Sequence, residues 1–358
     1  MSETEKVPQR RLFSGNEAAG EAAIRAGCRF YGGYPITPQN ELIAYMADQL
    51  PQRGGVFVQA ESELAAINML YGAGGAGVRC MTSSSSPGIS LKQEGISYLA
   101  GSEIPAVIVN ISRGGPGLGN IGPSQGDYFQ STRGGGHGDY RCIALGPSTV
   151  QEMAEFTTLA FELADKYRIP VIIVGDAMVG QMMEPVEFEK IPRSEPPEKA
   201  WALTGAANRE RNIVHSFDIS QEGLEEFNRK LVKKHERIQE QETRCEKLMC
   251  EEATHLIVAY GTCARVAKQV VVNPPPSFKG EIGLFRPITL WPYPYEELKT
   301  LAEQVEGILT IEMNAGQMVE DVKLASEGRC PVKLLGYPGG GFPEAGAMVD
   351  KLLSEFGA

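Results

Sequence analysis

The sequence holds 358 residues, 42 % of them hydrophobic, with 41 glycines and a formal net charge of −11. That size and composition fit one large or two medium globular α/β domains. The acidic balance argues against nucleic acid or an anionic membrane surface as the main partner.

The N-terminal stretch MSETEKVPQRR is polar and carries no secretory h-region. Residues 14–30 read as a helix with Ser14 as N-cap and an apolar Ala/Ile face. Phe30–Tyr34 reads as a short strand. The loop Tyr34-Pro35-Ile36-Thr37-Pro38 then leaves Thr37 at the C-terminal edge of that strand, where open α/β sheets bind ligands. Pro-Ile-Thr-Pro serves equally well to end a strand and open a helix, here near Asn40. The stretch 56–78, VFVQAESELAAINMLYGAGGAGV, gives a strand Val56–Gln59, an acidic corner Glu61-Ser62-Glu63, an apolar helix from about Leu64 to Tyr71, and a Gly-rich exit. A carboxylate at the joint of two buried elements is costly without a partner. Glu61 or Glu63 is therefore the first candidate for chemistry. GAGGAG follows a helix and precedes a strand, the reverse of a dinucleotide fingerprint, so close packing and a helix C-cap explain it better.

A strand is expected at Val78–Thr82. The serines Ser83 to Ser86 follow, then a helix Ile89–Ala100. Hydroxyls and free N–H groups before a helix suit a polar ligand; a solvated turn with redundant caps is the plain alternative. Ala106–Ile111 is a buried strand of the parallel type. It ends at Arg113, whose guanidinium could clamp a carboxylate bidentately or form an ion pair with Asp127 or Asp139. The Gly-rich loop to Tyr140 is long enough to be functional. Residues 149–166 form an amphipathic helix and Pro170–Gly175 a further buried strand. Residues 14–190 thus alternate as a doubly wound parallel sheet. Ser220–Glu252 reads as a charged helix. A second α/β unit follows, with strands at Leu256–Tyr260, Gly283–Phe285 and Gly307–Glu312 and helices at Ala264–Val272, Tyr295–Gln304 and Met318–Ala325.

The seven cysteines are dispersed without a CxxC pair, and there are four histidines. No iron–sulfur, zinc or other metal site is expected on this chain. No apolar run approaches the roughly 20 residues of a spanning helix. The expected location is the cytoplasm, with no membrane partner.

The segments GYPITPQNE (33–41), QAESELAAINMLYGA (59–73), TSSSSPGISLKQEGISYLAG (82–101), NISRGGPGLGN (110–120), RPITLWPYP (286–294) and IEMNAGQMVEDV (311–322) carry a specific likeness. With them the chain resembles the alpha subunits of 2-oxoacid:ferredoxin oxidoreductases, which use thiamine diphosphate. The branched-chain (3-methyl-2-oxobutanoate) type is nearest and the 2-oxoglutarate type next. The resemblance implies a pyrimidine-binding domain over 1–190, a linker and charged helix over 191–252, and a smaller α/β transketolase C-terminal-like domain over 253–358.

In that family a glutamate hydrogen-bonds N1′ of the cofactor's aminopyrimidine. Counted back from Gly72, Glu63 matches it, and Glu61 is left to capping or a partner contact. By the same match Thr37 lies at the substrate carbonyl and carboxylate, Arg113 is the carboxylate clamp, and Pro35, Ile36, Thr37, Ser85 and Ser86 join Glu63 as cofactor contacts. The family's Gly-Asp-Gly…Asn pattern for Mg²⁺ and diphosphate is absent, since Gly175-Asp176-Ala177 lacks the second glycine. The resemblance therefore implies half a site. A beta subunit would carry the diphosphate and Mg²⁺, gamma and ferredoxin-like subunits would complete the complex with its iron–sulfur clusters, and coenzyme A, a 2-oxoacid and ferredoxin would be the reactants. Two rivals remain: another split thiamine transferase, and a non-catalytic assembly subunit in which Glu63 is only a structural hub. Substrate choice is assigned to pocket shape, in the Gly114–Tyr140 loop and the partner chain; a basic residue there, Arg133 or Arg141, would favour 2-oxoglutarate.

Overall fold

A computed structural model describes residues 11–193, 195–274 and 276–357. All but the last residue of the N-terminal stretch read above for a leader lie outside these.

The first half of the chain runs β1 (Arg11–Ser14), α1 (Gly15–Arg25), β2 (Phe30–Gly33), α2 (Asn40–Gln52), β3 (Val56–Gln59), α3 (Glu63–Gly75), β4 (Cys80–Ser84), α4 (Pro87–Gly101), β5 (Ala106–Ser112), α5 (Tyr128–Thr132), β6 (Ile143–Leu145), α6 (Val150–Tyr167), β7 (Pro170–Asp176), α7 (Ala177–Gln181) and β8 (Met183–Val186). Then come α8 (Gln221–Glu242), β9 (Cys245–Leu248), β10 (His255–Ala259), α9 (Gly261–Val272), β11 (Ile282–Pro287), β12 (Thr289–Trp291), α10 (Tyr295–Ala302), β13 (Gly307–Glu312), α11 (Met318–Ser326), β14 (Val332–Gly336) and α12 (Ala345–Phe356).

Seven strands form one sheet in the order β12-β6-β7-β5-β4-β2-β3. All its pairs are parallel except β12 on β6. β5 and β7 are buried at every position, as expected of central parallel strands covered on both faces. Helix α1 packs on α2 and α6, and α3 packs on α4. The connection from β2 goes out to β3, and the next strand, β4, returns to the other side of β2. That reversal opens a crevice at the C-terminal ends of β2 and β4, the place where doubly wound sheets take ligands. The second sheet has the order β14-β13-β10-β11-β9.

Four local readings change. The helix expected over 14–30 stops at Arg25, after a capping box between Ser14 and Glu17. Helix α3 does not end at Tyr71 but runs through its glycines to Gly75. The bare Gly74 lets Ile104 close in, since a Cβ there would stand 2.5 Å from its Cγ2. The charged helix ends at Glu242, and residues 245–248, expected to be helical, pair antiparallel with β11. The segment Thr289–Trp291, expected in a connection of the second unit, closes the edge of the first sheet on β6.

The two halves are stitched by buried polar groups. Gln125 exchanges hydrogen bonds with the Met313 backbone at 2.9 and 3.0 Å. Asp321 is 1 % exposed. It accepts from Tyr128 Oη at 2.6 Å, from Arg133 Nη2 at 3.1 Å and from Tyr295 Oη. Removing one member of such a group strands the others in a dry seam. Asp321→Ala is therefore expected to cost about 3 kcal/mol or more of stability, read by urea unfolding. A loss below about 0.5 kcal/mol would show that the seam does not depend on it.

Candidate active site

The ends of β3, β2, β4 and β5 are neighbours, and each carries sequence-predicted groups: Glu63 after β3, Pro35, Ile36 and Thr37 after β2, Ser85 and Ser86 after β4, Arg113 after β5. At the first corner Ser62 caps α3, its hydroxyl accepting from Ala65 N at 3.2 Å. Glu61 makes no cap and is exposed, which corrects the capping role left open for it. Glu63 opens α3 and is 5 % exposed. The positive end of the helix dipole favours a carboxylate there.

Helix α4 closes over that carboxylate with a glycine. A Cβ on Gly88 would stand 2.6 Å from Glu63 Oε1 and 2.0 Å from Ser84 Oγ. Around it the Ser84 and Ser85 hydroxyls are buried without hydrogen-bond partners among the described residues. A carboxylate in an apolar seam beside unsatisfied hydroxyls fits a flat heteroaromatic ring that offers both donors and acceptors.

Ser86 organises the next part. Its Oγ donates to Asp127 Oδ2 at 2.6 Å and accepts from Arg113 N at 2.9 Å, while its own N–H reaches Asn110 Oδ1 at 3.2 Å. Asp127 also takes Asn110 Nδ2 at 2.8 Å. Asp127 is thus occupied, and the ion pair considered for Arg113 does not form. Instead the buried guanidinium donates to two carbonyls, Thr37 O and Leu118 O, both at 2.9 Å. Its Nε is buried without a partner among the described residues. The Thr37 hydroxyl accepts from Asn40 Nδ2 at 3.0 Å. Pro35 is exposed and Ile36 half-buried in the same loop.

A cleft of about 770 Å³ lies at the Ser86–Arg113 end of this row, between Ser86, Arg113 and Asp127 on one side and Asn314, Gln317 and Gly339 on the other. It sits where the β5 and β13 ends meet. Sequence reasoning missed its second wall and the Asn110–Asp127 support, because both depend on contacts between distant segments. It also missed Gly88 and the buried Lys92 of α4. A lone lysine on a helix face otherwise made of glycine and isoleucine was a readable signal. Asp176, which follows Gly175, is fully committed: Oδ1 accepts from Met178 N, Val179 N and Thr262 Oγ1, and Oδ2 from Thr262 N.

Residues 21–250 match the family described as pyruvate flavodoxin/ferredoxin oxidoreductase, thiamine diphosphate-binding, and residues 253–345 match pyruvate:ferredoxin oxidoreductase core domain II. The ketoisovalerate oxidoreductase subunit VorB of Methanothermobacter marburgensis is 49 % identical, covering 96 % of this chain and 97 % of its own length. The 2-oxoglutarate synthase subunit KorA of Methanothermobacter thermautotrophicus is 38 % identical over 92 % of this chain and 94 % of its own. The 2-oxoglutarate:ferredoxin oxidoreductase of Magnetococcus marinus, solved with 2-oxoglutarate, coenzyme A and succinyl-CoA, superposes with a TM-score of 0.86 at 25 % identity. It aligns with 97 % of this chain, which spans 65 % of that longer one. A split-gene transketolase shares the fold alone, at a TM-score of 0.57 and 15 % identity.

The seam gives a paired prediction. Gly88→Ala pushes a methyl into Glu63 and Ser84 and should destabilise by about 1–3 kcal/mol. Gly72→Ala in α3, with nothing within 4 Å of the new Cβ, should stabilise by up to about 1 kcal/mol. Urea unfolding of the two variants measures both, and equal effects would contradict the close approach at Gly88.

Proposed function

The chain belongs to the pyruvate flavodoxin/ferredoxin oxidoreductase family, and on that premise we propose that it is the alpha subunit of a heteromeric 2-oxoacid:ferredoxin oxidoreductase acting on branched-chain 2-oxoacids. The reaction is the oxidative decarboxylation of the 2-oxoacid to acyl-CoA and CO₂. The observation that carries the reading is the strand-end row itself, a buried carboxylate at one end and a buried, carbonyl-held arginine at the other. The likeness to VorB over nearly the whole length of both chains supports it.

Thiamine diphosphate, when bound, supplies the nucleophilic carbon and the electron sink. Glu63 shares a proton with pyrimidine N1′ in a seam kept dry by α3, α4 and Gly88. The unsatisfied Ser85 hydroxyl, with Ile36, Pro35 and Ser86, lines the place of the ring. Arg113 holds the substrate carboxylate with its remaining donor capacity, and Thr37, fixed through its carbonyl by the same arginine, faces the substrate carbonyl. The pinning of Arg113 by two carbonyls prepays the orientation that a bidentate clamp needs.

Mg²⁺ and the diphosphate belong to a beta subunit on this reading. Asp176 supports that assignment, since every contact it makes is spent on α7 and Thr262. The iron–sulfur clusters are assigned to gamma and ferredoxin-like subunits, with ferredoxin as acceptor. Among the described residues no helix is long and apolar enough to cross a membrane; a cytoplasmic complex remains the proposal. The substrate side chain meets the Gly114–Tyr140 loop at its stretch 114–122, which carries no charged residue. Arg133, which could have favoured 2-oxoglutarate, is committed to Asp321, and Arg141 donates to Arg133 O at 2.7 Å. Leu118 and Ile121 stand 81 % and 65 % exposed on that loop, ready to pack on a branched chain or on the partner subunit.

Two outcomes test this in the assembled complex. Glu63→Gln should co-purify with its partners yet lose about 10²–10⁴-fold in kcat, the range of a lost acid–base group; near-normal turnover sinks the assignment. The wild-type complex should prefer 3-methyl-2-oxobutanoate over 2-oxoglutarate by at least about tenfold in kcat/KM, roughly what one apolar contact difference provides. The reverse preference would favour the 2-oxoglutarate reading.

A further inference from the structure

Lys92 is 0 % exposed, and among the largest fully buried side chains it is the charged one. It lies in the contact between α3 and α4. One turn before it is Gly88 and three residues after it is Gly95, and both bare positions press on α3. A Cβ on Gly95 would stand 2.5 Å from Ile67 Cγ2, just as one on Gly88 would meet Glu63 Oε1. The two glycines draw the helices together and fix the lysine stem between them.

The ammonium makes one hydrogen bond among the described residues, a long one of 3.5 Å to the Glu63 carbonyl. The negative charge of Glu63 acts on it through space. On α4 itself Glu94 is turned to solvent, where Tyr98 Oη donates to it at 2.7 Å. Burial pushes the Lys92 pKa down to about 8, and the charge of Glu63 holds it up against that pull. A methionine would fill the same seam without desolvating an ion. A cation kept in such a place, bonded to the backbone carbonyl of a buried glutamate at a strand–helix corner, marks a functional arrangement.

We propose that Lys92 is a positioning residue that acts through Glu63: its fixed positive charge favours the ionised carboxylate and so drives the shared proton onto N1′ of the bound pyrimidine. The inference rests on the role given to Glu63 above. In the step, the carboxyl O–H breaks and the ring N–H forms, while Lys92 keeps its three protons throughout. The amino end of α3 acts in the same direction.

The test uses the assembled complex with Lys92→Met, Glu63→Gln and the double variant. Three readouts are taken: the pyrimidine protonation state by near-ultraviolet circular dichroism, the pH profile of kcat/KM, and thermal unfolding. Lys92→Met should move the acid limb of the profile up by at least about one unit, a tenfold change in proton affinity. It should lower the protonated-pyrimidine signal at neutral pH without lowering Tm. In the Glu63→Gln background, Lys92→Met should leave that signal unchanged. If Lys92→Met fails to assemble, Lys92→Gln keeps a donor for the Glu63 carbonyl, removes only the charge, and carries the same expectation. An unshifted acid limb, or an equal change in both backgrounds, overturns the proposal. Full activity of Glu63→Gln overturns the role of Glu63 itself, whereas an inactive Glu63→Gln beside a wild-type-like Lys92→Met overturns only the role of Lys92.

Discussion

A carboxylate held out of water at the start of a helix is the constraint on which this structure turns. Glu63 cannot be buried cheaply, so its neighbours are arranged to tolerate it. Ser62 takes the capping duty, the α3 dipole favours the charge, Gly88 gives up its side chain to make room, and Lys92 stands behind. Each of these concessions costs stability elsewhere: a glycine inside α4, unsatisfied hydroxyls at Ser84 and Ser85, a desolvated ammonium. Proteins carry such costs where a reaction needs the group in that state.

The rest of the site follows from sheet topology. Because β4 returns to the far side of β2, the loops after β3, β2, β4 and β5 stand side by side at one edge of the sheet. Ser86 ties the β4 and β5 loops together, and Arg113 ties β5 to the loop after β2. The second half of the chain supplies the opposite wall through Asn314 and Gln317 and lends β12 to the first sheet. The two halves therefore share the cleft as well as a seam, which explains why buried polar groups such as Asp321 and Gln125 bridge them.

Much of this was legible in residues. The strands β3 and β13 fall where the apolar runs end, and the helix starting at Asn40 follows its two prolines as expected. Burial separates Glu63 from the exposed Glu61, the two carboxylates that the residues alone leave open. What could not be read was non-local. β12 and β9 are three and four residues long and are strands only because β6 and β11, far away in sequence, pair with them. The glycines of α3 looked like an exit because glycine weakens helices. They stay helical because Ile104 packs where Gly74 lacks a side chain. Asp127 looked like a counter-ion for Arg113; in the fold Ser86 and Asn110 reach it first.

The central claim is that Glu63 acts through N1′ of the pyrimidine. It is tested most directly in a double cycle of turnover, with wild-type and Glu63→Gln complexes each loaded with thiamine diphosphate or with an analogue carrying C–H in place of N1′. The account predicts that the Glu63→Gln loss seen with the natural cofactor vanishes on the analogue, because the group it serves is already gone. An equal loss with both cofactors would contradict it.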